Sequence, residues 1–282
     1  MNVEKTIKTI TEGIKKRTDI AIIGLSGGAD STLVAILCKL ALGKENVYGV
    51  HMPYDTKDFD TFNLKSQKLA QHLEIKDVIC DIGGTVSNIA LLSKRVEFAL
   101  EKNVETSKLN LGNLKARVRT TTLYTVNQII AEQTGKKCRV IGTGNLSEDF
   151  IGYDTKGGDA LADFFPIGDL FKSEVYELLD YFIGEGIILE EHVDRIPSAG
   201  LWEGQTDEGE LGYTYDEMQP AVEFLLNRDC FGNDSSFLWS IYDRLREHEE
   251  NKIPSLDVLE FVWTRYLNNK HKHEAPDVIK LR

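Results

Sequence analysis

Cysteine is scarce in this chain of 282 residues: there are four, Cys38, Cys80, Cys138 and Cys230. They are far apart, and neither a CxxC pair nor a Cys/His cluster occurs. That excludes a disulfide scaffold or a zinc ribbon, and the expectation is buried free thiols in a reducing compartment. Long apolar runs are absent, so no segment is expected to span a bilayer. The first seventeen residues are charged and lack the apolar core of a secretory leader. Positive charge is in deficit: 33 Lys and Arg stand against 45 Asp and Glu, a net charge of −12. This argues against nonspecific binding to nucleic acid or membrane, though a local basic pocket remains compatible. No internal repeat or low-complexity linker is present. The expectation is a cytoplasmic protein of one domain over 1–282, with a core at about 18–190 and a C-terminal cover and lid at about 191–282.

What is present is organised around residues 20–31. Ile20 to Ile23 reads as a buried strand, Ser26-Gly27-Gly28 as a turn, and Leu33, Val34, Leu37, Leu40 and Ala41 as an amphipathic helix. A strand, a glycine turn and a helix start form a phosphate cradle, because the unpaired amides of the first helical turn point at the anion. Gly24, Leu25, Ser26, Gly27, Gly28, Ala29, Asp30 and Ser31 are the candidate ATP contacts. Asp30 can hold a divalent cation on the same phosphates. No Gly-Lys-Ser/Thr follows the glycines, so this is not a Walker A loop. Ser-Gly-Gly-Ala-Asp-Ser instead resembles the signature of the PP-loop ATP pyrophosphatases, which cleave ATP between its α and β phosphates.

Further along, helical spacing is expected over 3–16, 62–73, 85–102, 113–134, 170–182, 214–226, 234–250 and 255–267. Strands are expected at 20–23, 47–52, 76–80 and 138–142. The alternation means βαβ units: an α/β fold with a parallel sheet flanked by helices on both faces. Ligands in such sheets sit beyond the C-terminal strand ends, where the glycine loop and Met52-Pro53-Tyr54 both fall. Residues 198–212 are rich in glycine and acid with little periodicity, as in a mobile lid.

Several residues have a plain structural reading beside a chemical one. Arg117 shares a helix face with Thr121 and Tyr124, whereas Arg119 points the other way, so the two arginines have different tasks. Surface ion pairing is the alternative for both. Asn145 with Glu148 three residues on resembles a capping box, which competes with Glu148 as a magnesium ligand opposite Asp30. If Asp169 caps the next helix, Lys172 sits in its first turn, where a cation is unfavourable against the helix dipole. That awkward place hints at an anionic ligand; solvent exposure is the alternative.

Seven stretches in order carry a resemblance over nearly the whole chain: Ser-Gly-Gly-Ala-Asp-Ser at 26–31, Gly-Asn-Leu-Lys-Ala-Arg-Val-Arg at 112–119, Gly-Thr-Gly-Asn-Leu-Ser-Glu at 142–148, Gly-Tyr-Asp-Thr-Lys-Gly-Gly-Asp at 152–159, Pro-Ile-Gly-Asp-Leu-Phe-Lys at 166–172, Pro-Ser-Ala-Gly-Leu-Trp-Glu-Gly-Gln-Thr-Asp-Glu at 197–208, and His-Lys-His at 271–273. Together they are similar to the ammonia-dependent NAD synthetases. The resemblance implies a Rossmann-like fold of the adenine nucleotide α-hydrolase type. It implies a ligase that amidates deamido-NAD (nicotinic acid adenine dinucleotide) with ammonia through an acyl-adenylate, giving NAD, AMP and pyrophosphate.

By the same resemblance, Asp30 and Lys172 would be catalytic, and Asp30 and Glu148 would hold Mg2+. Thr143, Lys172, Ser198 and Met52 would join the glycine loop around ATP. Arg117, Lys156, Asp163, His271 and Lys272 would contact deamido-NAD. A homodimer with the dinucleotide near the subunit interface is implied, as is a lid at 198–212. Glutamine-dependent members carry an extra amidase, for which this sequence has no room before the first strand, so free ammonia is the expected donor. The sequence departs from the family pattern at Thr120, at Asp149-Phe150 and at His273, where arginine is common. The rival readings are another PP-loop ligase, such as a tRNA-modifying enzyme or the synthetase part of GMP synthetase, and a non-catalytic nucleotide sensor.

Overall fold

The structure, a computed structural model, describes residues 1–54, 65–101, 107–193, 196–198, 204–227, 254–275 and 278–279. Its centre is a four-stranded parallel sheet in the order β3-β2-β1-β4. The strands are β1 (Ile20–Gly24), β2 (Val47–His51), β3 (Lys76–Ile79) and β4 (Cys138–Ile141). Ala21 aligns with Val47 on one side of β1, and Ile20 with Cys138 on the other.

The period-two alternation of β1 sends its side chains into two separate cores. Ala21 and Ile23 pack against α1 (Val3–Arg17), α2 (Ala29–Leu42) and α8 (Lys172–Gly184). Ile20 and Ile22 pack with Leu123, Val126 and Ile130 of α6 (Lys108–Thr134). Covered on both faces, β1 is apolar throughout, as a central parallel strand requires. A further apolar cluster joins α7 (Leu146–Phe150), α9 (Asp207–Leu211), α10 (Tyr215–Leu226) and α11 (Leu256–Asn269) around Ile151, Met218, Leu259 and Trp263.

The expected fold class holds, and several element bounds are corrected. The single helix expected over 85–102 is two, α4 (Gly83–Ala90) and α5 (Leu92–Leu100), broken at Leu91. The apolar spacing runs on through the break, so periodicity alone does not mark it. Helix α6 begins at Lys108, ahead of the expected start, because the Ser107 hydroxyl accepts the Asn110 N–H at 3.1 Å and caps it. Helix α8 starts at Lys172, so Asp169 is not its cap; Glu174 instead accepts the Phe171 N–H at 2.9 Å. Between β2 and β3, residues 65–72 form α3. The helix expected over 234–250 lies outside the described residues. No helix among the described residues is long and apolar enough to cross a membrane.

Candidate active site

The chain leaves β1 for β2 on one side of the sheet and returns to β4 on the other. The C-terminal ends of β1 and β4 therefore flank a topological switch point, where open α/β sheets bind ligands. Two strand-to-helix turns meet there: 24–29 enters α2, and 142–146 enters α7.

In the first turn Gly27 has φ +84°, a left-handed value that disfavours any side chain, and an added Cβ would lie 3.4 Å from the Ser66 backbone nitrogen. The two serines hold the loop from within. Ser26 and Ser31 hydroxyls are 3.0 Å apart, Ser31 donates to Gly28 O at 3.1 Å, and Ser26 Oγ accepts the Gly28 N–H at 3.2 Å. These hydroxyls fix a loop backbone whose amides could meet an anion. No side chain caps α2, so its first turn is open to an anion. Met52 lies against the loop: its methyl would be 3.4 Å from a Cβ at Gly24.

Across the switch point Asp30, Glu148 and Lys172 meet. Lys172 Nζ is 2.6 Å from Asp30 Oδ2 and 2.8 Å from Glu148 Oε1, with its own side chain 5% exposed. Asn145, wholly buried, joins the two turns. Its Nδ2 donates to Asp30 Oδ1 at 3.0 Å, and its Oδ1 accepts the Glu148 N–H at 3.2 Å. This separates the two readings of Glu148: the Glu148 backbone is capped by Asn145, while its carboxylate faces Lys172. The awkward first-turn position of Lys172 is also explained, since two carboxylates offset the dipole there. Its N–H donates to Ser147 Oγ at 3.0 Å, and the Tyr215 ring centroid lies 5.7 Å from its ammonium.

Burial pushes the Glu148 carboxyl up to about 8, with Asp30 and Asp207 adding to the rise and Lys172 opposing it. For Lys172, burial favours the neutral amine, but Glu148 and Asp30 outweigh it and hold the ammonium charged. Two carboxylates are thus clamped on one cation. An oxygen-only pair of this kind suits a hard divalent cation, and the Lys172 ammonium marks where positive charge is wanted.

The residues expected at the dinucleotide form a second, linked group. Arg117 Nε donates to Lys156 O at 3.2 Å, Lys156 Nζ to His271 O at 2.6 Å, and Lys272 Nζ to Gly152 O at 2.6 Å and Asp154 O at 2.8 Å. Residues 39 to 120 positions apart are so brought together at the end of α11. Asp163 stands elsewhere, on the β4 edge, where it accepts the Val140 N–H at 2.7 Å and faces Arg139 at 3.5 Å. Thr143 is half-buried on the β4–α7 turn. Ser198 donates to Gln205 O at 2.7 Å, which ties the start of the expected lid to its middle. The described part of that lid is not irregular throughout, since α9 lies inside it. Its Gln205 and Glu210 reach Tyr153 beside the site.

Sequence reasoning missed Asn145 as a bridge, Ser147 as the acceptor for α8, and the meeting of Asp149, Asp154 and His273. The contacts span 115 residues for Asn145 with Asp30, and no local pattern records such a pairing.

Comparison with known proteins agrees with this geometry. The NAD synthase family model matches residues 2–276. The NH3-dependent NAD+ synthetase of Methanocaldococcus jannaschii is 34% identical, over 98% of this chain and 96% of its own. That of Methanosarcina acetivorans is 35% identical over the full length of both. Among solved structures, an NMN synthetase from Francisella tularensis matches with a TM-score of 0.74 and 25% identity, over 100% of both chains. An NH3-dependent NAD synthetase from Campylobacter jejuni matches with a TM-score of 0.68 and 25% identity, over 99% of this chain and 100% of its own. With the family model spanning nearly all of its length, this chain belongs to the NAD synthase family.

Proposed function

We propose that this chain amidates deamido-NAD with ammonia at the expense of ATP, releasing NAD, AMP and pyrophosphate. The observation that carries the reading is the convergence of Asp30, Glu148 and Lys172 beside the open α2 N-terminus, in a chain one-third identical over its full length to NH3-dependent NAD+ synthetases.

A carboxylate is a poor electrophile. Its attack on the ATP α-phosphorus forms a mixed anhydride and expels pyrophosphate; ammonia then attacks the acyl carbon, loses a proton, and AMP leaves. Both acyl donor and ATP are anionic, so the site's task is alignment and charge neutralisation. The 24–31 loop would hold the phosphates, with Thr143, Met52 and Ser198 at the nucleotide. Asp30 and Glu148 would hold Mg2+, which when bound neutralises phosphate charge. That would free Lys172 from its two carboxylates to face the transferring phosphoryl group. Arg117, Lys156, His271 and Lys272 would bind the pyridine dinucleotide, with Asp163 at the β4 edge. The 204–212 segment, closed through Tyr153, would keep water from the acyl-adenylate.

The likeness to an NMN synthetase supports a second reading, in which the acceptor is the mononucleotide, nicotinic acid mononucleotide. The chemistry is the same and only the acceptor's adenylyl half is missing. Single-turnover release of AMP and pyrophosphate with each acceptor separates the two. Release with deamido-NAD at far higher kcat/KM upholds the first reading; preference for the mononucleotide replaces it.

We also place the protein in the cytoplasm as a homodimer. Among the described cysteines, Cys38, Cys80 and Cys138 are free, in keeping with a reducing compartment. At the break before α5, Leu91 lies on the same side as Phe98, which is 88% exposed, while Leu92, Val96 and Leu100 line another side, and together they make apolar surface that a second subunit would cover.

A further inference from the structure

We propose that Asp149, Asp154 and His273 form a second metal site, separate from the Asp30–Glu148 pair, for a borderline divalent cation of the Zn2+ or Co2+ type.

One ligand atom from each of the three lies within 4.8 Å of the other two. Asp149 follows Glu148 on α7, about a hundred degrees further round the helix, so its carboxylate leaves the helix in another direction. Asp154 lies just past that helix and His273 just past α11, 119 residues later in the chain by their numbers.

The Asp154 side chain is only 5% exposed, and both of its oxygens are buried. What it has are charges at contact: His273 Nε2 at 2.5 Å from Oδ2 and Lys272 Nζ at 3.6 Å from Oδ1. A buried carboxylate needs compensating charge, which His273 and Lys272 supply here and which a dication bonded directly to its oxygens would supply more strongly. With His273 neutral as a ligand, Asp149 and Asp154 supply two negative charges to balance a dication.

The three groups are held together without a metal. Gly152 has φ +61° and lies so close to α11 that an added Cβ would be 2.1 Å from Asn269 Cβ. Lys272 Nζ is bound to the carbonyls of Gly152 and Asp154. The site therefore needs only side-chain rotation to bring its donors within bonding range of about 2 Å, with water in the open positions. One imidazole and two carboxylates suit a Zn-type ion; an all-oxygen set would suit magnesium. Such an ion would staple the segment that carries His271 and Lys272 to α7.

The test titrates the EDTA-treated full chain, free of nucleotide, with Co2+ by visible absorption and with Zn2+ by competition. We expect one equivalent bound per chain, and a rise in Tm with Zn2+. His273→Arg keeps a cation beside Asp154 but cannot ligate metal, and His273 is 33% exposed, so the variant should fold. It should weaken binding by at least about 10- to 100-fold and abolish the Tm rise. Asp149→Asn should act alike, and Asp30→Asn should leave binding intact. No binding, binding indifferent to His273→Arg, or binding lost with Asp30→Asn would overturn the proposal.

Discussion

Lys172 carries more of the account than any other single residue. Its ammonium satisfies Asp30 and Glu148 at once, inside a site where both partners are mostly buried. Removing one member of such a buried group leaves the others uncompensated, which costs on the order of 3 kcal/mol in folding. Removing a donor positioned on developing charge costs roughly 100- to 1,000-fold in turnover. Lys172→Ala is therefore expected to lower kcat by at least that factor while deamido-NAD binding, which we assign to Arg117 and Lys156, survives. Calorimetric titration with deamido-NAD beside steady-state kinetics reads both. Unchanged turnover in a folded variant would remove Lys172 from the mechanism. The sequence signalled this lysine through its helix position and through the family motif at 166–172. The partners that explain it sit 142 and 24 residues away and were not legible as contacts.

At the scale of elements, three N-termini do the positioning: α2 offers bare amides, α7 is capped by Asn145, and α8 brings in Lys172. The first was legible because a strand, a glycine turn and an amphipathic helix leave a local pattern. The start of α6 was not. Gly112 and Asn113 favour a break by propensity, yet Gly112 is buried and Asn113 accepts the Thr155 hydroxyl at 2.8 Å, so tertiary packing overrides propensity.

A further link between elements is His51 at the end of β2. Its Nδ1 is 2.6 Å from the Ser66 hydroxyl of α3, and its Nε2 faces Asp77 of β3. With Nε2 protonated toward the carboxylate, Nδ1 accepts from Ser66, which fixes the neutral tautomer. Ser66 in turn abuts Gly27, so this relay backs the phosphate loop. Burial lowers the His51 pKa and Asp77 only partly restores it. A depressed folded value means the unfolded chain binds more protons, so this contribution is present above about pH 6.5 and is lost as pH falls through the lowered folded pKa. Urea unfolding of wild type should show stability dropping below that pH, and His51→Gln should flatten the drop. An equal slope in both would show that His51 does not titrate on unfolding.

For the whole molecule, the sequence made the fold class, the superfamily loop and the family pattern legible, since each rests on local spacing or on motif order. Closure of the far parts was not: the meeting of α7 with the end of α11 joins positions about 120 apart, through the close Gly152–Asn269 approach, the Lys156 and Lys272 hydrogen bonds and the Asp154–His273 pair. The exposed apolar surface around α5 belongs to this scale as well. If it is the dimer contact, Phe98→Glu should convert a dimer to a monomer in light scattering after gel filtration, with the pH dependence of folding unchanged; a variant that stays dimeric would place the interface elsewhere.

The most direct measurement is NAD formation by the purified chain with ATP, Mg2+ and deamido-NAD, run in parallel with ammonium and with glutamine. We expect NAD with ammonium, matched one-to-one by AMP and pyrophosphate, and none with glutamine alone. No NAD with either donor, or equal NAD from glutamine, would contradict it.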